Sequence, residues 1–298
     1  MGKVAFVFSG QGDQYPGMGK NLFENYVPAA EVFRLCESLR PGTMEQCFRG
    51  TAEELQNTAN TQPCLYAMEL AAAAALAEKG VKADAAAGFS LGEVAAAAFT
   101  GLFDVSTGFR LVCHRGRLMQ AAAEKHETSM AAVLKLTEAQ VTALCEKYTE
   151  VYPVNFNCPG QISVSGAAEQ MRQFSADVKA AGGRAVPLKV RGAFHSPFMQ
   201  EASEAFGEIL AQAQLGEARI PLYSNVTARP YSGDPAALLA KQIASPVRWE
   251  ALIRNMIEDG FDTFVEMGPG RTLTNMIRKI DPAVKALTVT EYLEETAC

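Results

Sequence analysis

The five residues Gly88-Phe89-Ser90-Leu91-Gly92 constrain this chain more than any other segment. They match the pattern G-x-S-x-G, in which a β-strand turns sharply into a helix and the serine hydroxyl is exposed at the turn. Such a turn needs small residues beside the serine, and the helix behind it presents free N–H groups and a positive dipole end to a developing oxyanion. Ser90 is therefore a candidate nucleophile; the alternative is an ordinary serine in a strand-to-helix turn.

A serine nucleophile needs a base, and the chain has three histidines. His114 shares the polar side of its helix with Arg110 and Arg117, and His126 lies in a hydrophilic stretch. His195 lies between a predicted strand and a helix start, where the helix dipole disfavours the imidazolium. His195 is the predicted base, with a loop histidine bonded to backbone as the alternative. In α/β-hydrolases the histidine comes last, so here a backbone carbonyl, instead of an acid, could hold the ring.

Strands alternate with helices along the chain, which predicts a parallel sheet. The first strand, Lys3 to Phe8, runs into the loop Ser9-Gly10-Gln11-Gly12. This loop is not a nucleotide-binding loop, because Tyr15 stands where a dinucleotide fingerprint needs glycine and Met18 where a P-loop needs lysine. The glycines instead indicate a close approach of the backbone to a bound group.

Residues 128–192 change to the order βαββαβ, which is typical of a ferredoxin-like unit. The α/β pattern resumes afterwards, so this unit is predicted to be inserted. We expect an α/β, hydrolase-like core with a parallel sheet, formed by residues 1–127 and 193–298, and an inserted ferredoxin-like subdomain. Asp259-Gly260, which could mimic the motif of a Ser-Asp lipase of the patatin type, is predicted to end a helix.

Two helices in the first half carry polar residues of interest. Gln62-Pro63 is predicted to open a long apolar helix, and Ser106 is predicted to cap a later one. In that later helix Arg115 lies beside the apolar stripe that contains Val112 and Met119, so it is drawn toward the interior. Two interpretations of Arg115 stay open: an arginine that extends to solvent or pairs with a carboxylate, and a guanidinium that binds a substrate carboxylate bidentately.

Composition excludes several classes of protein. A net charge of -6 argues against a general nucleic-acid or membrane-surface binder. The seven scattered cysteines form no C-x-x-C pair, which predicts neither a disulfide framework nor a zinc site and fits a reducing compartment. No signal peptide or long apolar run is visible, so we expect a soluble, cytoplasmic protein, by default a monomer.

Taken together, seven segments in this order resemble the malonyl-CoA:acyl-carrier-protein transacylase family, and the resemblance spans essentially the whole chain. They are Ser9-Gly10-Gln11-Gly12, Gln62-Pro63, Gly88-Phe89-Ser90-Leu91-Gly92-Glu93, Arg115-Gly116, Asn155-Phe156-Asn157-Cys158-Pro159-Gly160-Gln161, Phe194-His195-Ser196 and Gly268-Pro269-Gly270.

The resemblance implies roles for the reacting groups. Ser90 would be the nucleophile and His195 its base, forming a Ser-His dyad. The backbone N–H groups of Gln11 and Leu91 would form the oxyanion hole, and the backbone carbonyl of Gln242 would orient the histidine.

The resemblance also implies how the substrate is bound. Arg115 would bind the free carboxylate of the malonyl group, Gln62 and Asn157 would line the site, and Phe194 is similar to the malonyl-type form of its loop. Malonyl-CoA and acyl carrier protein would be the substrates, with no cofactor and no metal.

Two positions depart from the family pattern. Family members usually carry histidine where Phe89 stands and often proline where Ser9 stands. Phe89 neither donates a hydrogen bond nor titrates, so a secondary binding role for this position is in question.

The implied reaction is ping-pong transfer of the malonyl group to the carrier's phosphopantetheine thiol, supplying fatty acid synthesis. The alternatives are a trans-acting malonyltransferase of a polyketide pathway, an acyl hydrolase of the same fold, or a non-catalytic docking module. Because carrier proteins are usually acidic, the docking face should be locally basic, and Lys189 and Arg191 are candidates.

Overall fold

The computed structural model describes residues 2–190 and 192–296, and its strands there form two sheets. The strands in chain order are β1 Lys3–Phe8, β2 Ala85–Gly88, β3 Thr128–Leu134, β4 Val151–Cys158, β5 Gln161–Ala167, β6 Arg184–Pro187, β7 Leu222–Tyr223, β8 Phe261–Met267 and β9 Lys285–Thr288.

Helices of the described residues connect and cover these sheets. In chain order they are α1 Lys20–Asn25, α2 Val27–Leu39, α3 Thr43–Arg49, α4 Thr58–Glu78, α5 Leu91–Thr100, α6 Val105–Glu124, α7 Glu138–Cys145, α8 Ala168–Ala180, α9 Gln200–Leu210, α10 Pro235–Gln242, α11 Trp249–Glu258, α12 Thr272–Ile280 and α13 Val289–Thr296, with short 3-10 helices at Glu54–Gln56 and Pro197–Met199.

The first sheet has the order β7-β2-β1-β8-β9, and every pairing in it is parallel. This confirms the predicted parallel sheet. Alternate residues of β1 face opposite layers: Phe6 and Phe8 belong to the core with α4 and α5, whereas Ala5 and Val7 belong to the core with α11 and α12. Helices therefore cover both faces, as a parallel sheet requires.

The second sheet has the order β4-β5-β3-β6 and is antiparallel throughout. With α7 and α8 between its strands it is the predicted ferredoxin-like unit, and it has an apolar core of its own. Its strands lie within residues 128–192; the boundaries of the discontinuous core stay a prediction. The unit is joined to the core where Val247 N donates to Val154 O (2.8 Å) and Phe156 N donates to Val247 O (2.9 Å).

Three predicted helix starts were wrong, two of them because a neighbouring residue forms the cap. Asn57 accepts from Ala59 N, so α4 begins at Thr58 and contains Pro63 in its interior. Asp104, not Ser106, caps α6 by accepting from Thr107 N. The Ser196 hydroxyl donates to Ala193 O instead of capping, and only a 3-10 turn precedes α9.

The last quarter of the chain holds more structure than the sequence predicts. After Gly268-Pro269-Gly270 come α12, β9 and α13. Asp259 is the C-cap of α11, so the Asp259-Gly260 pair ends a helix as predicted. None of the helices described in residues 2–190 and 192–296 is long and apolar enough to cross a membrane.

Candidate active site

The sharp turn at Ser90, called the elbow below, joins β2 to α5. Its backbone geometry explains why positions 88 and 92 are glycine. Ser90 has a φ of 54°, a left-handed conformation that side chains rarely adopt. A Cβ on Gly88 would lie 1.9 Å from the carbonyl carbon of Gly92, and one on Gly92 would lie 2.2 Å from Phe8 O. Only glycine fits either position, because α5 packs directly on the ends of β1 and β2.

His195 contacts the serine through one ring nitrogen and the backbone through the other. Its Nε2 lies 2.7 Å from Ser90 Oγ, while its Nδ1 lies 3.0 Å from Gln242 O and 3.2 Å from Ser245 O. Carbonyl oxygens only accept, so we assign the hydrogen of the neutral ring to Nδ1, which leaves the Nε2 lone pair for the serine hydroxyl. The geometry is that of a serine with its proton acceptor in place.

The environment keeps His195 neutral. Burial, followed by the charge of Arg115, lowers the pKa of His195 to about 4. The carbonyls of Gln242 and Ser245 act in the opposite direction, because they favour the protonated ring. Desolvation is the larger of the two causes that lower the pKa of His195. The helix dipole invoked from the sequence is therefore not needed to explain the neutral ring.

Arg115 is buried, at 1% exposure, and reaches the reacting serine. Its Nη1 donates to Gln62 Oε1 (2.9 Å), and its Nη2 donates to Gln242 Oε1 (2.7 Å) and lies 3.2 Å from Ser90 Oγ. Burial lowers the pKa of Arg115 to about 10, which leaves it charged at neutral pH. Its Nε is buried without a partner. A buried cation with unused donors beside the nucleophile is suited to an anionic acyl group.

Gln242 holds three parts of the site at once, and the sequence implied only one of these contacts. Besides the carbonyl that accepts from His195, its side-chain Nε2 donates to Ser90 O (2.6 Å) and to Glu93 Oε2 (2.8 Å). Gln242 Oε1 accepts from Arg115. Ser90, His195 and Arg115 are therefore all positioned by one residue at the end of α10.

Glu93 and Asn225 support this arrangement, and sequence reasoning assigned neither a role. Asn225 accepts from Ser90 N (2.8 Å) and donates to Gly88 O (2.6 Å), so it fixes both sides of the elbow. Glu93 accepts from Tyr231 Oη (2.6 Å), and burial raises its pKa to about 7. The available signals were the position of Glu93 directly after the elbow motif and that of Asn225 after a predicted parallel strand.

A cavity of about 80 Å³ surrounds the dyad. The predicted residues that line it are Ser90, His195, Arg115, Gln62, Phe194, Gln11 and Leu91. Leu91 is the first residue of α5, so its N–H has no carbonyl one turn back to accept from it within the helix. Two backbone segments, at Gln11 and Leu91, thus meet beside Ser90 where an oxyanion would form.

Asn157 lies apart from the dyad. It lines an adjoining cavity of about 200 Å³ that shares Gln11 and Phe89 with the first, and its Nδ2 donates to Ser163 Oγ (3.2 Å). Its Oδ1 and that of Asn155 are buried without partners. These two acceptors line a polar extension between the core and the inserted unit.

The two positions that depart from the family pattern have structural partners. Phe89 packs edge-on against Trp249, with ring centroids 5.6 Å apart. Ser9 Oγ donates to Glu69 Oε1 (2.7 Å), a fully buried carboxyl whose pKa is raised well above its usual range by burial. The serine thus gives the loop that carries Gln11 a contact with the centre of α4.

Two predicted docking residues lie in the segment before His195. Lys189 is exposed, and Arg191 lies outside the described residues. In residues 2–190 and 192–296 no group of three or more histidine, cysteine or carboxylate side chains could hold a metal ion. The six described cysteines are free, and Cys298 lies outside the described part.

Comparison with known proteins extends this description. Residues 5–290 match the acyl transferase domain. The chain is 37% identical to a malonyl CoA-acyl carrier protein transacylase of Bacillus subtilis, over 98% of this chain and 94% of that protein.

Two solved structures are similar over nearly the whole chain. One, a malonyl CoA-acyl carrier protein transacylase from Clostridium perfringens, superimposes with a TM-score of 0.95 at 36% identity, covering 99% of this chain and 96% of that one. The other, a malonyl-transacylase in complex with a type II polyketide synthase acyl-carrier protein, gives a TM-score of 0.94 at 30% identity, covering 98% and 99%.

Proposed function

The chain belongs to the malonyl-CoA:acyl-carrier-protein transacylase family of acyltransferases, and on that basis we propose that it moves a malonyl group from malonyl-CoA to the phosphopantetheine thiol of an acyl carrier protein. The relatives support this substrate pair through their names, and one was solved with its carrier protein bound. The proposal needs no cofactor, because the thioester is already activated for acyl transfer.

In the first half-reaction, Ser90 Oγ attacks the thioester carbonyl while His195 Nε2 takes its proton. The carbonyl oxygen becomes an oxyanion between the N–H groups of Gln11 and Leu91. The carbon–sulfur bond then breaks, the coenzyme A sulfur takes the proton from His195, and a malonyl ester remains on Ser90. The donors around an oxyanion contribute about 10²- to 10³-fold each, and a positioned base about 10²- to 10⁴-fold.

In the second half-reaction, the phosphopantetheine thiol gives its proton to His195 and attacks the same carbonyl. The ester bond to Ser90 breaks, and Oγ recovers the proton from His195. One histidine serves both directions because its Nδ1–H stays bonded to Gln242 O throughout. Neither half-reaction needs an acid residue as a third member.

The observation that carries the proposal is the position of Arg115, whose Nη2 lies 3.2 Å from Ser90 Oγ. An acyl group attached to Ser90 would extend past this guanidinium, where a terminal carboxylate would pair with a buried cation. An acyl hydrolase of the same fold would gain nothing from a cation in that place. This favours transfer of a malonyl group over general hydrolysis.

The test is to incubate the protein with malonyl-CoA, with and without a carrier protein, and to follow acyl-enzyme, acyl-carrier and free malonate by mass spectrometry. We expect a stable malonyl adduct on the wild type and none on Ser90→Ala. Addition of carrier should discharge the adduct to the carrier thiol. Discharge to free malonate at the same rate with or without carrier would make the protein a hydrolase, and an adduct on Ser90→Ala would remove Ser90 from its role.

We propose further that the carrier is that of fatty acid synthesis, which is the more frequent role for this activity. The competing possibility is a polyketide carrier, as in the solved complex. Comparing kcat/KM for the two carriers at equal malonyl-CoA distinguishes them. A higher value for the polyketide carrier would overturn this part of the proposal without affecting the transfer chemistry.

A further inference from the structure

Two arginines and a histidine form a row on the surface of α6 that faces away from the active site. Arg110, His114 and Arg117 are spaced four and three residues apart and are all exposed. In a helix this spacing puts side chains on one face. Arg115, on the same helix, is directed to the opposite side and contacts Ser90. The row is thus separate from the site described above.

The row borders a cavity of about 480 Å³, larger than the cavity around the dyad. A third arginine, Arg40 at the end of α2, lines its other side. Arg40 is held rigidly, because its guanidinium donates to Gln46 Oε1 (2.8 Å), Asn60 Oδ1 (2.8 Å) and Thr43 Oγ1 (3.2 Å). The cavity is therefore lined by one guanidinium group held by hydrogen bonds, that of Arg40, and by two on exposed side chains, those of Arg110 and Arg117.

These charges have no acidic partner in the described residues. No carboxylate lines the cavity, and none of the ion pairs formed within residues 2–190 and 192–296 includes Arg40, Arg110 or Arg117. Arg117 instead approaches His114, whose Nδ1 lies 3.5 Å away. The net charge of the protein is -6, so acidic residues outnumber basic ones. Three arginines that line one cavity without a carboxylate partner therefore require an explanation.

We propose that this cavity binds a phosphorylated small molecule carrying at least two negative charges. Guanidinium groups match phosphate oxygens bidentately, and a volume of this size lies within the range of small-molecule sites. The apolar part of the lining, Leu39 and Ala59, would contact the uncharged body of the ligand. Arg110 and Arg117 would supply the direct phosphate contacts, and Arg40 a fixed positive charge.

A small ligand fits better than a docked carrier protein. A carrier bound at this row would present its phosphopantetheine on the side of α6 opposite to Ser90. The cavity is also concave, whereas electrostatic docking of a whole protein uses extended patches. The inference goes beyond the proposed transfer reaction and does not depend on it.

The test uses pyrophosphate as the probe, with binding measured by titration calorimetry on the full chain. We expect saturable binding to the wild type and binding about 10- to 100-fold weaker in the double variant Arg110→Gln, Arg117→Gln, because hydrogen bonds to charged groups are lost. Arg172→Gln, an exposed arginine of α8 in the inserted unit, is the matched control and should bind like the wild type.

Chemical modification provides a second readout at the residue level. Phenylglyoxal labelling followed by peptide mapping should show Arg110 and Arg117 protected by pyrophosphate and Arg172 unprotected. Absence of saturable binding to the wild type, or equal affinity in the double variant, would overturn the proposal. Protection of these arginines by carrier protein but not by pyrophosphate would overturn it as well, in favour of protein docking.

Discussion

Replacement of Arg115 by alanine tests the reasoning about the acyl group most directly. The side chain is buried, donates to Gln62 and Gln242, and has its Nη2 3.2 Å from Ser90 Oγ. In Arg115→Ala a bound malonyl carboxylate would stay in the same enclosed place without a counter-ion. An acetyl group has no carboxylate, so it would lose none of that stabilisation.

The expected magnitude follows from the cost of leaving one partner of a buried pair uncompensated, about 3–5 kcal/mol. At about 1.4 kcal/mol for each factor of ten, kcat/KM for malonyl-CoA should fall by about 10²- to 10⁴-fold. For acetyl-CoA the loss should stay within about tenfold, since of the three contacts that Arg115 makes only the one with the Ser90 hydroxyl involves a group that would react. The ratio of the two substrates, measured in the same preparation, cancels any loss of folded enzyme.

The assay is stopped-flow acylation of Ser90 by each thioester at neutral pH, with thermal unfolding of each variant as the stability control. Arg115→Lys keeps a charge but not the planar fork, and should recover part of the malonyl rate. A second signature is independent of substrate affinity: because Arg115 lowers the pKa of His195, the alanine variant should move the acid limb for acetyl-CoA to higher pH. Equal losses for both acyl groups would refute the assignment and make Arg115 a structural residue.

Three further predictions address the surroundings of the dyad. In the wild type, kcat/KM should fall only as the pH drops through about 4, because His195 must be neutral to act as a base and its pKa is lowered to about 4. A fall of kcat/KM near pH 6.5 in the pH–rate profile would contradict this. Gln242→Ala keeps the backbone carbonyl that accepts from His195 but removes the side-chain bonds to Arg115, Ser90 O and Glu93, so malonyl transfer should fall at least about tenfold with the acid limb unchanged. A shifted acid limb would mean that the ring of His195 had moved. The free energy of unfolding of Glu69→Gln should exceed that of the wild type at pH 8 and nearly equal it at pH 5. The reason is that the pKa of Glu69 is raised in the folded state, so the wild-type protein loses stability as the pH rises above about 4.5. Chemical denaturation at both pH values measures this, and a variant less stable than the wild type at pH 8 would refute it.

Much of the fold was predictable because its signals are local. Apolar strands alternating with helices indicated the parallel sheet, and the βαββαβ order indicated the inserted unit. Helix starts were less predictable, since Asn57 and Asp104 compete as caps with residues that look equally suitable in sequence. A cap is decided by which side chain reaches the first free N–H groups, and spacing alone does not fix this.

The candidate site also has residues that the sequence predicts and residues that only the folded structure reveals. Ser90 was visible in its own motif, and His195 through elimination among three histidines. Gln242, Glu93 and Asn225 act through side-chain contacts with the candidate site that join positions 127 to 152 residues apart, such as Gln242 Oε1 with Arg115 Nη2 and Gln242 Nε2 with Ser90 O. No local pattern records such contacts. The carbonyl role of Gln242 came from the family resemblance, while its side-chain contacts appeared only in the folded structure.

Both members of the dyad occupy left-handed backbone conformations, with φ of 54° at Ser90 and 60° at His195. Conformations of this kind cost on the order of 1–3 kcal/mol each in non-glycine residues. The protein thus gives up part of its folding free energy at the two positions that we propose carry out the chemistry. Random mutagenesis selected for heat resistance alone should therefore accept glycine at these positions, and a screen without an activity filter would enrich stable but inactive enzymes.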